Sequence, residues 1–208
     1  MPKELRVIEV DDVEFRSEGE GDEKASFVEG RGVVYNREVE IWPGFMEKIR
    51  SGAFSKTIDS RDEVKSFFNH NPSFVLSTTR SKPPLHIEDG KDALRFKSEI
   101  PPTTYGNDLA INLERKNVRG ASFSFEVHPE GDTVTRDTKG VMHREIVKAT
   151  LFEVGPVTNP AYRQTSANLR SVEEVYNEHN EKYERENKAE NEIAENELSL
   201  KLKTIDLL

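Results

Sequence analysis

Short segments rich in β-branched and aromatic residues, separated by Gly, Pro and Asn, recur along most of the chain. Segments of this length and composition are typical of β-strands. In one of them, Gly30 and Gly32 indicate a β-bulge or a close approach of another element. The predicted strands are 5–10, 13–24 (running into a polar turn), 27–35, 64–70, 73–81, a hairpin over 85–100 that turns at Asp89-Gly90, and three strands within 120–158 that enclose a polar loop near 129–140.

Two stretches show helical spacing instead of alternation. After a turn at Pro43-Gly44, apolar residues four or five positions apart over 45–58 predict two short helices separated at Gly52. Residues 104–117 predict a further helix. Because strands and helices do not alternate regularly, a doubly wound parallel sheet is disfavoured. The predicted fold is mixed α and β, with a mostly antiparallel β-barrel-like sheet and packed helices.

Composition divides the chain at about residue 165. The 208 residues carry a formal net charge of −9, and residues 171–208 contribute −6 of it, with eleven acidic against five basic side chains. Apolar density falls in the same region, so residues 166–208 are predicted to form an acidic C-terminal extension, helical or disordered. Residues 1–165 are long enough to enclose a core and are predicted to form the folded domain.

Several kinds of chemistry are disfavoured by composition. The chain has no cysteine, and therefore no disulfide, thiolate metal site or cysteine nucleophile. Its five histidines lack HxH or HExxH spacing and no phosphate loop is present, so neither a metal nor a cofactor is predicted. No apolar run reaches membrane-spanning length and no signal peptide is recognisable, so we expect a soluble intracellular protein. The acidic balance disfavours binding to nucleic acid.

The three residue types of a serine hydrolase occur in strand-like segments. A serine hydroxyl needs a base, an imidazole can take its proton near neutral pH, and a carboxylate behind the imidazole orients it. Ser122 lies on one face of the strand GASFSFEV; that face is simply polar in the alternative interpretation, and Ser124 is an equally good nucleophile by alternation. His70 ends an apolar run, and His86 is its serious rival. Glu153 has apolar neighbours, which favours either a histidine partner or a structural salt bridge with an arginine.

Five segments with distinctive short motifs follow one another along the chain. They are GVVYN (32–36), EIWPGFMEKIRSGAFSKTI (40–58), VKSFFNHNPSFVLSTT (64–79), LERKNVRGASFSFEV (113–127) and REIVKATLFEVGPVTNPAY (144–162). In this order they resemble the prohead serine protease family of tailed bacteriophages, over about residues 28–165. In that resemblance His70 matches the catalytic histidine, Ser122 the nucleophile and Glu153 the acidic third member. Ser124 and Gly155 stand where the family usually has glycine and serine.

The resemblance implies a fold related to the herpesvirus assembly proteases and a serine endopeptidase that matures capsids. The implied substrates are the major capsid protein precursor and its scaffold segment; cleavage of its own chain and a homo-oligomer are both compatible with it. No cofactor, metal, nucleic acid or membrane is implied, and the implied location is the host cytoplasm, within the procapsid. The alternative is a catalytically idle capsid-assembly or scaffolding protein of the same fold. An esterase of another fold is disfavoured because no GxSxG elbow is present.

Overall fold

The computed structural model describes residues 4–8, 13–19, 25–158 and 166–205. The chain divides into two compact units, Met1–Ser171 and Val172–Leu208. The strands are β1 (Glu4–Ile8), β2 (Glu14–Glu18), β3 (Ala25–Val34), β4 (Val39–Trp42), β5 (Phe45–Ile49), β6 (Lys65–Phe67), β7 (Val75–Thr78), β8 (His86–Asp89), β9 (Ala93–Glu99), β10 (Gly120–Val127), β11 (Asp132–Arg136), β12 (Met142–Ile146) and β13 (Ala149–Val157). The helices are α1 (Ser55–Ser60), α2 (Thr104–Glu114) and α3 (Ser166–Ile205).

The strands form three open sheets. Sheet I has the order β1-β10-β13-β6-β7, sheet II the order β11-β12-β5-β4, and sheet III the order β2-β3-β9-β8. Neighbouring strands are antiparallel except in the pairs β12 with β5 and β13 with β6. The predicted mixed, strand-rich fold is confirmed, but barrel-like closure is wrong, because among the described strands each sheet ends at two separate edges. Alternation identifies a strand but does not say which strands pair, and pairing decides closure.

Residues 45–49 form strand β5, so the first of the two short helices predicted over 45–58 is wrong. Phe45, Glu47 and Ile49 are buried in alternation, and β5 pairs with both β4 and β12. Apolar residues four positions apart fit one turn of a helix and also one face of a strand. The buried charge of Glu47 concealed the alternation. The second predicted helix is present as α1.

The loop predicted near 129–140 contains strand β11, which pairs with β12. Three other local predictions are confirmed. The register of β3 against β9 shifts between Arg31 and Val33, and a Cβ on Gly32 would collide with Val154, so both the bulge and the close approach are present. The hairpin β8–β9 and helix α2 also lie within their predicted ranges.

Strand β10 is buried on both faces. On one face Phe123 and Phe125 pack edge-on against Phe54, with ring centroids 6.2 and 6.1 Å apart. On the other face Ser122 and Ser124 are 0% and 2% exposed. The interpretation of this face as an exposed polar surface is therefore wrong. A buried hydroxyl needs a hydrogen-bond partner, because burial removes the hydrogen bond that it made with water. The partners of these two hydroxyls therefore distinguish their roles.

Five charged side chains form a buried network between sheets I and II. Arg6 of β1 donates to Glu4 and Glu47, and Arg144 of β12 donates to Glu4, Glu47 and Asp132, at 2.6–3.0 Å. Burial alone would lower the pKa of Arg144 and raise the pKa of Glu47. The opposite charges outweigh burial: the pKa of Arg144 is raised by its carboxylate partners, and the pKa of Glu47 is lowered by Arg6 and Arg144. The network therefore joins β1 to sheet II through charge-assisted hydrogen bonds.

Helix α3 accounts for the described part of the C-terminal unit. It runs over 40 residues, and most of its described side chains are exposed. Of the two predicted states of this segment, helical or disordered, the structure has a helix over Ser166–Ile205. Among the residues that the structure describes, no helix is both long and apolar enough to cross a membrane.

Candidate active site

His70 lies in the loop after β6 and contacts a carboxylate of β13. Its Nδ1 atom is 2.8 Å from Oε1 of Glu153. The His70 side chain is 23% exposed and the Glu153 side chain 7%, so the pair lies largely out of water. No arginine pairs with Glu153 within the described part of the chain. Of the two interpretations of this carboxylate, the structure has the histidine partner.

Strand β13 lies between the strand that carries the serines and the strand that leads to His70. Ser124 of β10 is directly opposite Glu153 across the antiparallel pair. Gly155 follows two residues along on the same face of β13, and a Cβ there would collide with the carbonyl oxygen of Phe67 on β6. The glycine therefore allows β6, and the His70 loop after it, to approach β13 closely.

Ser122 and Ser124 share one face of β10 but have different surroundings. The Ser122 hydroxyl donates to the carbonyl oxygen of Arg6 on β1 at 2.7 Å. The Ser124 hydroxyl is buried without a hydrogen-bond partner in the described structure, and so is Nε2 of His70. The structure thus brings His70 and Glu153 into contact, whereas the Ser122 hydroxyl is bonded to β1 instead of to the imidazole.

The three other histidines of the folded domain lie outside this site and have other partners or face solvent. His86, the serious rival of His70, is exposed on β8 of sheet III. His128 bonds to a threonine hydroxyl, and His143 lies 2.8 Å from a glutamate carboxylate, whose hydrogen bond raises the pKa of His143. Within the described ranges no three His, Asp or Glu side chains are grouped to hold a metal ion.

Two features of the site were not predicted from the sequence. The first is the carbonyl of Arg6 as acceptor for Ser122, since pairing between strands 116 positions apart leaves no local signal. The second is Asn69, which has a left-handed backbone (φ 54°) and bonds to the end of β13. The signal for the second was the Asn-His pair itself, because Asn is among the residues that most readily adopt this conformation.

A carboxylate that contacts Nδ1 of an imidazole, with serine hydroxyls on the adjacent strand, is the set of groups found in serine hydrolases. These groups are therefore the candidate active site of the chain. The chain belongs to the caudovirus prohead serine protease family, whose family model matches residues 11–179. The resemblance seen in the sequence is confirmed, and the family is one of capsid-maturation peptidases of tailed phages.

Among solved structures, the protein is similar to the bacteriophage T4 capsid assembly protease, gp21. The two share 13% sequence identity with a TM-score of 0.46, and the match covers 76% of this chain and 99% of that chain. No curated protein matches this chain.

Proposed function

We propose that this protein is a serine endopeptidase that cleaves the phage capsid precursor and its scaffold segment during prohead maturation, and also cleaves its own chain. The observation that carries the proposal is the 2.8 Å contact between Nδ1 of His70 and Oε1 of Glu153 in a family of prohead peptidases. The proposed roles are Ser122 as nucleophile, His70 as general base and Glu153 as the group that orients the imidazole.

The proposed chemistry follows from the two nitrogens of His70. Glu153 accepts a hydrogen bond from the Nδ1–H group, which leaves the Nε2 lone pair available to take a proton from a hydroxyl. The Ser122 oxygen then attacks the peptide carbonyl, and the C–N bond breaks as Nε2 returns the proton to the leaving amine. Water completes the cycle by the same route and releases the acyl group. The carboxylate stabilises the imidazolium that forms at each step.

The Ser122 hydroxyl has to leave its present acceptor before it can react. It donates to the Arg6 carbonyl at 2.7 Å and is fully buried. A change of its χ1 rotamer, together with a shift of β1 away from β10, exposes the oxygen to substrate in this proposal. Ser124, opposite Glu153 with no hydrogen-bond partner in the described structure, is the alternative nucleophile.

The second candidate function is a catalytically idle capsid-assembly or scaffolding protein. The His70–Glu153 contact favours the enzyme, because a catalytic imidazole requires a carboxylate that orients it.

In the proposed arrangement residues 1–165 form the protease domain and 166–208 an acidic extension that tethers the protein to scaffold or is removed by self-cleavage. The site of action is the host cytoplasm, within the procapsid.

The test is to co-express the chain with the capsid precursor of its own phage and look for a shortened capsid protein on a gel. Ser122→Ala should abolish cleavage, with a fall of several orders of magnitude, and leave the fold intact. Ser124→Ala is the matched control, because it removes the same atom from the same strand face about 7 Å away. Loss of cleavage in Ser124→Ala alone would move the nucleophile to that position. An unshortened capsid protein with the unaltered chain would support the idle scaffolding protein.

A further inference from the structure

Two consecutive residues of the histidine loop have left-handed backbones. Asn69 has φ 54° and His70 has φ 56°. Positive φ is uncommon for residues other than glycine, although Asn and His adopt it more often than most. Two such residues in succession are held by contacts with the rest of the fold.

Asn69 makes three hydrogen bonds to the C-terminal end of β13. Its backbone N–H donates to the carbonyl oxygen of Pro156 at 3.0 Å. Its side-chain Oδ1 accepts from the backbone N–H of Thr158 at 2.9 Å and from the Thr158 hydroxyl at 3.2 Å. Strand β13 also carries Glu153. The residue next to His70 is thus bonded to the same strand that supplies the carboxylate partner of His70.

The remainder of the loop is bonded to itself. Asn71 donates its N–H to the carbonyl of Phe68, its own carbonyl accepts from Phe74, and its side chain accepts from the N–H of Ser73. A loop that satisfies its own backbone in this way keeps its shape as a unit. Its attachment to β13 then decides where the imidazole lies relative to Glu153.

We propose that Asn69 is a positioning residue for His70: its bonds to Pro156 and Thr158 place the imidazole so that Nδ1 meets Glu153 and Nε2 is left without a hydrogen-bond partner in the described structure. The proposal rests on the proposed function, in which His70 is the base. A shift of about 1 Å in a catalytic group lowers the rate by about a hundredfold. Loss of the Oδ1 bonds should therefore reduce turnover and leave the affinity for substrate nearly unchanged.

The experiment compares three substitutions at residue 69 with a control in the same loop. Asn69→Ala removes Oδ1 and opposes the left-handed backbone, and Asn69→Gly removes Oδ1 but accepts that backbone. Asn69→Asp keeps both an acceptor oxygen and the tolerated conformation. Asn71→Ala changes a loop asparagine whose side chain does not bond to β13. Measurements of kcat and KM on purified capsid precursor are combined with NMR of the His70 Nδ1 proton in the full-length protein.

We expect Asn69→Ala and Asn69→Gly to lower kcat by about 10- to 100-fold with KM within about twofold. The Nδ1 proton signal, which reports the bond to Glu153, should weaken or shift in both. Asn69→Asp should restore most of kcat, and Asn71→Ala should keep it within about threefold. If Asn69→Ala fails to fold, Asn69→Gly still shows the effect of losing the Oδ1 acceptor, because glycine adopts the left-handed backbone without strain.

Two results would overturn the inference. One is turnover at the unaltered rate in Asn69→Gly with an unchanged Nδ1 signal. The other is failure of Asn69→Asp to restore turnover in a folded protein. A different result would refute the proposed function. If the unaltered chain and Ser122→Ala are equally inactive on the capsid precursor, the chain is not a protease of that substrate. The NMR signal still tests in that case whether Asn69 places His70 on Glu153.

Discussion

Replacement of Glu153 by glutamine should lower kcat by about 10²- to 10⁴-fold while KM and the fold change little. A charge-assisted hydrogen bond contributes about 1.5–3 kcal/mol, and at 1.36 kcal/mol per factor of ten its weakening accounts for about 10- to 150-fold. The Glu153 side chain is 7% exposed, so water screens this contact little. Glutamine can also turn its NH₂ group toward Nδ1, which places the imidazole proton on the wrong nitrogen, and such an error costs up to about 10⁴.

The assay is cleavage of purified capsid precursor with substrate above KM, and circular dichroism in urea checks the fold. Glu145→Gln is the matched control: Glu145 is also a strand carboxylate in an ion pair, 3.0 Å from Arg50, but it lies on β12 of sheet II. Its turnover should stay within about twofold. Glu153→Gln with unaltered turnover would refute the role of Glu153 in orienting His70. A Glu153→Gln protein that unfolds would show that the contact serves stability instead.

Three further outcomes follow from the buried charges of the folded domain and from the polar composition of the C-terminal segment. Arg144→Met should lower the free energy of unfolding in urea by about 3–5 kcal/mol, because three carboxylates lose a buried partner. The matched change at the half-exposed Arg95, Arg95→Met, should lower it by at most about 1 kcal/mol, and equal effects would contradict the network. The pKa of Glu47 lies below its ordinary 4.5 because Arg6 and Arg144 outweigh burial, so the unfolded state takes up this proton first as pH falls. The urea midpoint should therefore hold from neutral pH down to about 5 and drop below pH 4.5, and a flat profile to pH 3 would contradict this. Limited proteolysis should cut 166–208 before 25–158, since that segment has few apolar groups to stabilise it, and equal resistance would mean that it packs on another surface.

Local patterns predicted the parts of the fold that depend on neighbours in sequence. The hairpin β8–β9 has a turn dipeptide between alternating residues, and Gly32 marked a close approach that only a residue without Cβ allows. Strand β5 was misassigned because the partners of Glu47 lie 41 and 97 positions away. Arg6 and Arg144 are both far from Glu47 in the sequence. A local pattern therefore assigned the Glu47 carboxylate to the surface of the protein.

In the candidate site, the sequence likewise predicted residues but not the contacts that depend on strands distant in the chain. Residue types alone left Ser124 and His86 open as alternatives, and the resemblance to the family pointed to His70, Ser122 and Glu153. That His70 and Glu153 meet at 2.8 Å depends on the parallel pairing of β6 with β13, which alternation does not predict. The hydrogen bond from Ser122 to Arg6 depends on β1, a strand whose pairing partner starts more than a hundred residues later. A histidine partner for Glu153 was therefore one of two alternatives that the sequence predicted, whereas the direction of the Ser122 hydroxyl was not predictable.

The hydrogen bonds between β1 and its partners constrain the order in which the nascent chain acquires structure. Glu4 and Arg144 are 140 positions apart, and β1 pairs along β10 at residues 121–125. At about 5–20 residues per second of synthesis, Glu4 is made roughly 7 to 28 s before Arg144. During that interval Glu4 lacks its partner Arg144, and β1 lacks its neighbouring strand until residues 121–125 of β10 have been made. Strand β1 can therefore reach its final position only after β10 and β12 have been synthesised, and the hydrogen bond from Ser122 to Arg6 forms late in the folding of the chain.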